Sequence, residues 1–142
     1  MSNKIKVIIT RHAVERLFER RPTWYRKISG EIVANIIVNV IRSGKCLERK
    51  KRRGDDEEVS MRFSTSKYTI CCTKVNDDTL IVTTIMNTKV MTEEYKMAIK
   101  LYSIESPYRE VTFIVSNPPK EIERWMREWA QRDMEKQAVL ER

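Results

Sequence analysis

The sequence has few of the residues that build metal centres, disulfide frameworks or membrane spans. It contains one histidine and three cysteines, and the cysteines lack the CxxC spacing of a usual zinc site. The longest apolar stretch, residues 32–41, is interrupted by Asn35 and Asn39 and falls short of a membrane span. The first residues lack the hydrophobic run and cleavage site of a signal peptide. We therefore expect a cytoplasmic protein that binds no cofactor, no metal and no membrane.

Glycine and proline are also scarce, at three and four residues, and no low-complexity tract interrupts the chain. A length of 142 residues suits one folded domain with a core of ordinary size. Adjacent Cys71 and Cys72 lie in a predicted strand, so we expect reduced, mostly buried thiols on opposite faces. The abundance of Lys, Arg, Glu and Ile is compatible with a thermophilic source. The composition therefore predicts an ordered globular protein.

Positive charge is unevenly distributed along the chain. The net charge is +8; residues 1–54 hold 15 Lys and Arg against 4 acids, whereas residues 55–142 hold 13 against 16. This asymmetry favours a polyanionic partner, with nucleic acid first. A basic surface also suits an acidic protein partner or simply maintains solubility, and these alternatives stay open.

The segment 10–21 predicts an amphipathic helix that ends before a proline. Its apolar face consists of Ala13, Val14, Leu17 and Phe18. His12, Arg16 and Arg20 recur every fourth residue along the edge of that face and form a basic stripe. The stripe either lines a binding groove or forms ordinary surface pairs with Glu15 and Glu19.

A second helix is predicted between a Ser29 cap and Gly44, because apolar residues repeat at i, i+1, i+4 and i+5. The repeat comprises Ile32, Val33, Ile36, Ile37, Val40 and Ile41. Between the two helices, Trp24 and Tyr25 lie among basic residues. They either cover the core or stack on bases, and core packing is the favoured interpretation.

From Lys45 onward the pattern alternates with a period of two. The segments 45–53, 58–65, 67–75 and 79–86 predict a four-stranded meander, with a strand over 4–9 at its edge. A helix from a Thr92 cap to residue 103, a strand over 108–115 and a long helix starting at Asn117 and Pro118 follow. We therefore expect an α+β fold in which two N-terminal helices pack on a four- to five-stranded, mainly antiparallel sheet. Residues 1–87 form this domain, and residues 88–142 form a C-terminal extension packed on it as one compact unit.

The pattern of residues 5–87 resembles the RelE/ParE-like toxin superfamily. The similarity is to an uncharacterised branch whose N-terminal helix begins S/T-x-H-A-x-x-R-x-x-x-R, matched here by Thr10, His12, Ala13, Arg16 and Arg20. The second helix, Gly44 and the paired strands ending in LIVTTIMN at residues 80–87 follow. The resemblance implies two helices on an antiparallel sheet whose exposed face holds a basic groove.

In the RNase members of that superfamily, a ribose 2′-OH attacks the neighbouring phosphate of mRNA without a metal ion. Such chemistry needs a base, an acid and cations that stabilise the phosphorane. From this resemblance, His12, Arg62 and Tyr68 are the candidate catalytic residues. The usual C-terminal catalytic Tyr or His has no clear match in residues 83–86. A metal-independent endoribonuclease and a non-catalytic relative that binds nucleic acid both stay open.

The candidate nucleic-acid-binding residues are basic side chains of the first helix and the meander. They are Arg16, Arg20, Lys45, Arg49, Lys50, Lys51, Arg52, Arg53 and Lys74. Six of them lie within residues 45–53. There, phosphate contact is slightly favoured over a solvated turn that prevents edge-to-edge aggregation. We expect RNA rather than DNA as the partner.

The alternative function is that of a protein–protein inhibitor or accessory factor, encoded by a virus or plasmid, that holds a host protein. Its contact would be the basic face or the final helix, where Ile122, Trp125, Met126 and Trp129 form an apolar stripe. The same stripe suits internal packing or a homodimer formed through the C-terminal helix. A cognate antitoxin is a further partner that the resemblance implies.

Overall fold

A computed structural model describes residues 3–21 and 27–140. Its elements are β1 (Lys4–Ile9), α1 (Arg11–Arg20), α2 (Gly30–Ser43), β2 (Lys45–Arg53), β3 (Asp56–Ser64), β4 (Tyr68–Asn76), β5 (Thr79–Asn87), a 3₁₀ turn (Thr88–Val90), α3 (Glu93–Tyr102), β6 (Ile104–Glu105), β7 (Thr112–Val115) and α4 (Pro119–Leu140). These elements confirm the predicted α+β class. Trp24 and Tyr25 lie outside the described residues. Across the described ranges, every helix is either too short or too polar to span a bilayer.

All seven strands belong to one mixed sheet, in the order β6-β2-β3-β4-β5-β1-β7. β2 to β5 form the predicted antiparallel meander, but β1 pairs in parallel with both β5 and β7. The prediction of four to five mainly antiparallel strands is therefore corrected in strand number and in pairing. β6 has two residues, and β7 has four, the last half of the strand predicted over 108–115. Such short segments show too little alternation to be assigned from sequence.

The sheet is curled, as the chain connectivity requires. Its edge strands, β6 and β7, are joined by residues 106–111 alone. Seven Cα–Cα steps reach at most about 25 Å, whereas a flat seven-stranded sheet would separate its edges by about 29 Å. Tyr108 of this connection packs with its ring centroid 5.9 Å from that of Phe63 and 6.5 Å from that of Phe113. The connection therefore crosses the inner face of the sheet and links β3 to β7.

The inner face of the sheet carries the hydrophobic core. Val7, Phe63 and Val82 are fully buried on it, and the predicted apolar face of α1 packs over β5. Thr10 caps α1 as predicted: its hydroxyl accepts from the Ala13 N–H at 3.2 Å and donates to the Val82 carbonyl at 2.7 Å. The cap therefore ties the start of α1 to β5.

α2 runs from the predicted Ser29 cap to Gly44, but its buried side is shifted from the predicted repeat. Ala34 is buried, whereas Ile32 is 43% exposed and Ile36 is half-buried. α2 packs on β3 and β4, as expected for a helix that covers the sheet, and also against α4. The buried side of α2 is shifted because α4, which also packs against α1, covers part of it.

The apolar stripe of α4 belongs to the core. Trp125 and Trp129 are 9% and 8% exposed, and the Trp129 ring lies 6.0 Å from that of Phe18. Of the uses that the sequence left open for this stripe, internal packing is the one observed within the chain. Residues of the C-terminal segment thus complete the core of the N-terminal one.

The start of α4 differs from the prediction. Asn117 does not cap the helix; its side chain accepts from the Ile9 N–H at 2.7 Å and donates to the Ile9 carbonyl at 3.0 Å. The helix begins at Pro119, close to the start of α2. A Cβ on Gly30 would lie 2.2 Å from the Pro119 carbonyl oxygen, so only glycine permits this approach.

The three cysteines are free and buried. Cys72 belongs to the core, whereas Cys71 is the register partner of Arg62 on the opposite, outer face. This confirms that the adjacent pair points to opposite sides. Burial raises the pKa of Cys46 to about 12, so its thiol is protonated at neutral pH.

Candidate nucleic-acid interface

The outer face of the sheet, opposite α1 and α2, holds a groove built by two adjacent strands and one helix. It is lined by Leu47, Glu48, Arg49 and Lys51 of β2, Ser60 and Arg62 of β3, and Tyr95 of α3. In the β2–β3 register, Leu47 lies opposite Arg62 and Arg49 opposite Ser60. These strand residues share one face because alternate residues of a strand point to the same side. We call this groove of about 360 Å³ the outer groove.

The outer groove concentrates positive charge that no ion pair within the described residues neutralises. Arg49 and Lys51 are exposed, and neither forms an ion pair within the described residues, although Glu58 is the register partner of Lys51. Arg62 is also exposed and forms no ion pair there. Among the described lining residues, these three cations outnumber the one carboxylate, that of Glu48, and create a local positive potential, which attracts a polyanion.

Tyr95 of α3 fixes one side of the outer groove. The guanidinium carbon of Arg62 lies 5.1 Å from the Tyr95 ring centroid, a cation–π contact worth about 0.5–1 kcal/mol at an exposed site. Burial raises the pKa of Tyr95, while its neighbours Ser64 and Arg62 act to lower it. Its buried hydroxyl forms no hydrogen bond with any described residue. The ring is therefore a neutral platform for the Arg62 side chain.

Tyr95 is not among the site residues predicted from the sequence. Within α3, Tyr95, Ala98 and Ile99 are half-buried, whereas Met97 and Leu101 are exposed. The spacing i, i+3, i+4 would have assigned the first three to one packing side of α3. It would not have predicted that α3 crosses the outer face of β2 and β3, because that requires the tertiary structure.

Beyond the outer groove, β2 and β3 continue as a two-stranded arm, residues 50–58. β4 pairs with β3 only from Val59 onward, and β6 pairs with β2 only at Lys45 and Cys46. In the arm, Lys51, Arg52 and Arg53 are the register partners of Glu58, Glu57 and Asp56. Residues 50–58 contain four basic and four acidic residues, and Lys50 Nζ lies 4.0 Å from Glu57 Oε1. The predicted basic run is therefore balanced by the strand that faces it.

The predicted basic stripe of α1 is engaged by the protein itself. Arg16 Nη1 lies 2.7 Å from Glu19 Oε2, and Arg20 donates to a β5 backbone carbonyl at 2.7 Å. Arg11, in the first turn of the helix, lies 2.7 Å from a carboxylate oxygen of Glu128 on α4. Arg20 and Arg11 thus hold α1 to β5 and α4, whereas Arg16 is paired within the helix.

The three predicted catalytic residues lie on different sides of the sheet. Arg62 lines the outer groove, Tyr68 is buried in the core, and His12 is exposed in the first turn of α1. Burial raises the pKa of Tyr68, and Arg21 acts in the opposite direction. The structure therefore does not bring His12, Arg62 and Tyr68 into one site.

The remaining predicted binding residues also lie outside the outer groove. Lys45 pairs with Glu105 of β6, and Lys74 Nζ lies 3.7 Å from Asp77 near the end of β4. Lys50, Arg52 and Arg53 belong to the arm. Of the nine predicted binding residues, Arg49 and Lys51 are the two that line the groove, where they meet Arg62.

No family model, no curated protein and no solved structure matches the chain. Among the described residues, no three His, Cys, Asp or Glu side chains are grouped so that they could hold a metal ion. A functional assignment therefore depends on the geometry and charge of the outer groove.

Proposed function

We propose that the protein binds single-stranded RNA and that the outer groove is its phosphate-binding surface. The observation that carries this proposal is the clustering of Arg49, Lys51 and Arg62 on one exposed face, where none of them forms an ion pair with another described residue. Cations that are already paired must exchange one partner for another when they bind a ligand. Unpaired cations gain attraction to phosphate without that loss.

The side chains of the outer groove suit a phosphate chain. The planar guanidinium groups of Arg49 and Arg62 offer paired N–H donors to phosphate oxygens, and Lys51 adds a compact charge. Arg49 and Lys51 are two residues apart on β2, or about 6.7 Å, which is comparable to the spacing of successive phosphates in an extended strand. Contacts of this kind position a nucleic acid but do not read its bases. We therefore expect binding with little sequence preference.

The choice of RNA depends on the RelE/ParE-like resemblance of residues 5–87, which stays a prediction. Strand cleavage is not part of the proposal, because His12, Arg62 and Tyr68 do not share a site. Ser60 of the groove is a candidate partner for a ribose 2′-OH, since the Tyr95 hydroxyl is buried. A preference for RNA over DNA of the same sequence would support this contact.

The decisive experiment measures affinity and its salt dependence by fluorescence anisotropy. The probe is a labelled single-stranded RNA of about 12 nucleotides, a usual site size for such proteins. The variant Arg49→Gln/Lys51→Gln/Arg62→Gln should bind about 100-fold more weakly at about 0.1 M salt. Its log–log salt slope should fall by about 2, because each lost phosphate contact of a single strand contributes about 0.7.

A matched control removes the same amount of charge from the helical side of the molecule, by which we mean the face of the sheet covered by α1, α2 and α4. Lys120→Gln/Arg127→Gln/Lys136→Gln alters three exposed residues of α4 that form no ion pair within the described residues. This variant should keep most of the affinity and of the salt slope. Equal losses in both variants would mean that only net charge matters, and an unchanged groove variant would overturn the proposal.

A further inference from the structure

β2 has an open edge. Its nine residues all pair with β3 on one side, but on the other side β6 pairs only with Lys45 and Cys46. Along residues 47–53, the edge of β2 that faces away from β3 has no strand partner within the described residues. About 23 Å of backbone therefore presents peptide N–H and C=O groups to solvent, which is the template for an added strand.

The charges along this edge exclude one occupant. Residues 49–53 are all Lys or Arg, with Glu48 the one acid between Leu47 and Arg53. If the β2 edges of two copies of the chain paired with each other, basic residues would lie opposite basic residues. Like charges in facing positions destabilise strand pairing. Self-association through this edge is therefore disfavoured.

The protein itself shows which strand fits the basic edge. On its paired side, β2 places Lys51, Arg52 and Arg53 opposite Glu58, Glu57 and Asp56 of β3. Opposite charges in facing positions stabilise an antiparallel pair. An acidic strand added to the open side would repeat this arrangement, so that β2 would lie between two acidic strands.

We propose that residues 47–53 of β2 bind an extended acidic segment of a partner protein as an additional strand of the sheet. Backbone hydrogen bonds would supply the pairing, and carboxylates would select the partner through the exposed Lys50 and Arg52. The existing contact of Lys50 with Glu57 is long, at 4.0 Å, and 64% of the Lys50 side chain is exposed. The lysine thus stays accessible to a second carboxylate.

This inference does not rest on the proposed RNA site. The segment 47–53 includes Leu47, Arg49 and Lys51 of the outer groove, but partner selection uses Lys50 and Arg52, which do not line it. The two hypotheses can therefore be refuted separately. The groove variant tests RNA binding, whereas the peptide-binding experiment contains no RNA in its main measurement.

The test uses the full chain and two synthetic peptides of equal length and charge. One peptide alternates glutamate with valine, which favours a strand; the other alternates glutamate with proline, whose ring fixes φ near about −65°, favours polyproline II and removes every second amide donor. We expect the glutamate–valine peptide to bind and to slow hydrogen exchange of amides in residues 47–53. The glutamate–proline peptide should not do so, since charge alone is insufficient.

Two variants then test the charge selection. Lys50→Gln/Arg52→Gln should weaken binding of the glutamate–valine peptide about fivefold, and the charge-matched Lys120→Gln/Arg127→Gln should not. Equal binding of both peptides, or no slowing of exchange in residues 47–53, would overturn the proposal and leave the basic residues as protection against edge pairing. Protection of the same amides by an RNA oligonucleotide but not by peptide would likewise refute a strand partner.

Discussion

The arginines of α1 and those of the outer groove differ in what surrounds them. On α1, Arg16 has Glu19 as an ion-pair partner and Arg11 has Glu128. In the outer groove, Arg49 has no such partner within the described residues, and Arg62 rests on an aromatic ring. The same side-chain type therefore serves internal cohesion on one side of the sheet and is available to a ligand on the other.

The position of α4 accounts for part of this difference. α4 packs against α1 and α2 on the inner side of the sheet and carries Glu128 to Arg11 and Arg132 to Glu15. The outer face is crossed by α3, which contributes Tyr95 to the groove instead of a carboxylate. Whether a basic residue is free to bind a polyanion thus depends on which helix covers it, and net charge alone does not reveal this.

The largest expected effect on the helical side comes from removing the Trp129 side chain. Trp129→Ala should lower the free energy of unfolding by about 3–5 kcal/mol, because it leaves a cavity beside Phe18. Urea denaturation measures the loss, and Trp129→Phe, which keeps an aromatic ring, should lose clearly less. RNA affinity of the folded fraction should not change. A destabilisation below about 1 kcal/mol would contradict core packing of this residue.

A smaller effect is expected at Arg20, which the sequence suggested as a phosphate ligand. Its guanidinium donates to the Ile85 carbonyl of β5 at 2.7 Å, beyond Val82, where the pairing of β1 with β5 ends. Arg20→Met keeps the aliphatic stem but removes the donor, so the free energy of unfolding should fall by about 1.5–3 kcal/mol.

The matched comparison for Arg20 is Arg49→Met in the outer groove. This variant should leave stability almost unchanged and weaken RNA binding about fivefold at about 0.1 M salt. The reverse pattern, with Arg20 important for RNA and Arg49 important for stability, would show that the two regions have been assigned the wrong roles.

The local elements could be predicted from the sequence because their signals lie within a few residues. The Thr10 and Ser29 caps, the stop at Gly44 and the alternation of residues 59–64 each indicate an element correctly. The parallel pairing of β1 and the crossing of residues 106–111 could not be predicted in this way. They depend on which edges meet when the sheet curls, and no local pattern specifies that.

Charge was a less reliable predictor of the binding site than these local signals were of the fold, because counting along the chain ignores which residues face each other. A boundary after residue 54 separates the basic residues 49–53 from the acidic residues 55–58, although the β2–β3 hairpin places them opposite each other. Counted over the whole hairpin, residues 45–64, seven basic residues face five acidic ones. The available charge is therefore local, at Arg49, Lys51 and Arg62, and only pairing in space identifies it.

The smallest effect is a pH dependence that tests the ion pairs of α1. Burial raises the pKa of Glu15, but hydrogen bonds from Arg132 and Arg11 outweigh it, so the folded-state pKa lies below the ordinary value of 4.5. A carboxylate with a lowered pKa stabilises the folded state fully above its unfolded value, and this contribution is lost as the pH falls through the folded value. Glu15→Gln should therefore cost about 0.5 kcal/mol at neutral pH, a modest figure because solvent screens the pairs.

The difference between Glu15→Gln and the unaltered chain should disappear as the pH falls below 4.5, since the native carboxyl is then protonated as well. Urea unfolding at a series of pH values measures this, with Glu31→Gln as control, because Glu31 is exposed and forms no ion pair within the described residues. If the difference stays constant down to acidic pH, the arginines near Glu15 do not depend on its charge. The contrast between the arginines of α1 and those of the outer groove would then depend on the Arg11–Glu128 and Arg16–Glu19 pairs alone.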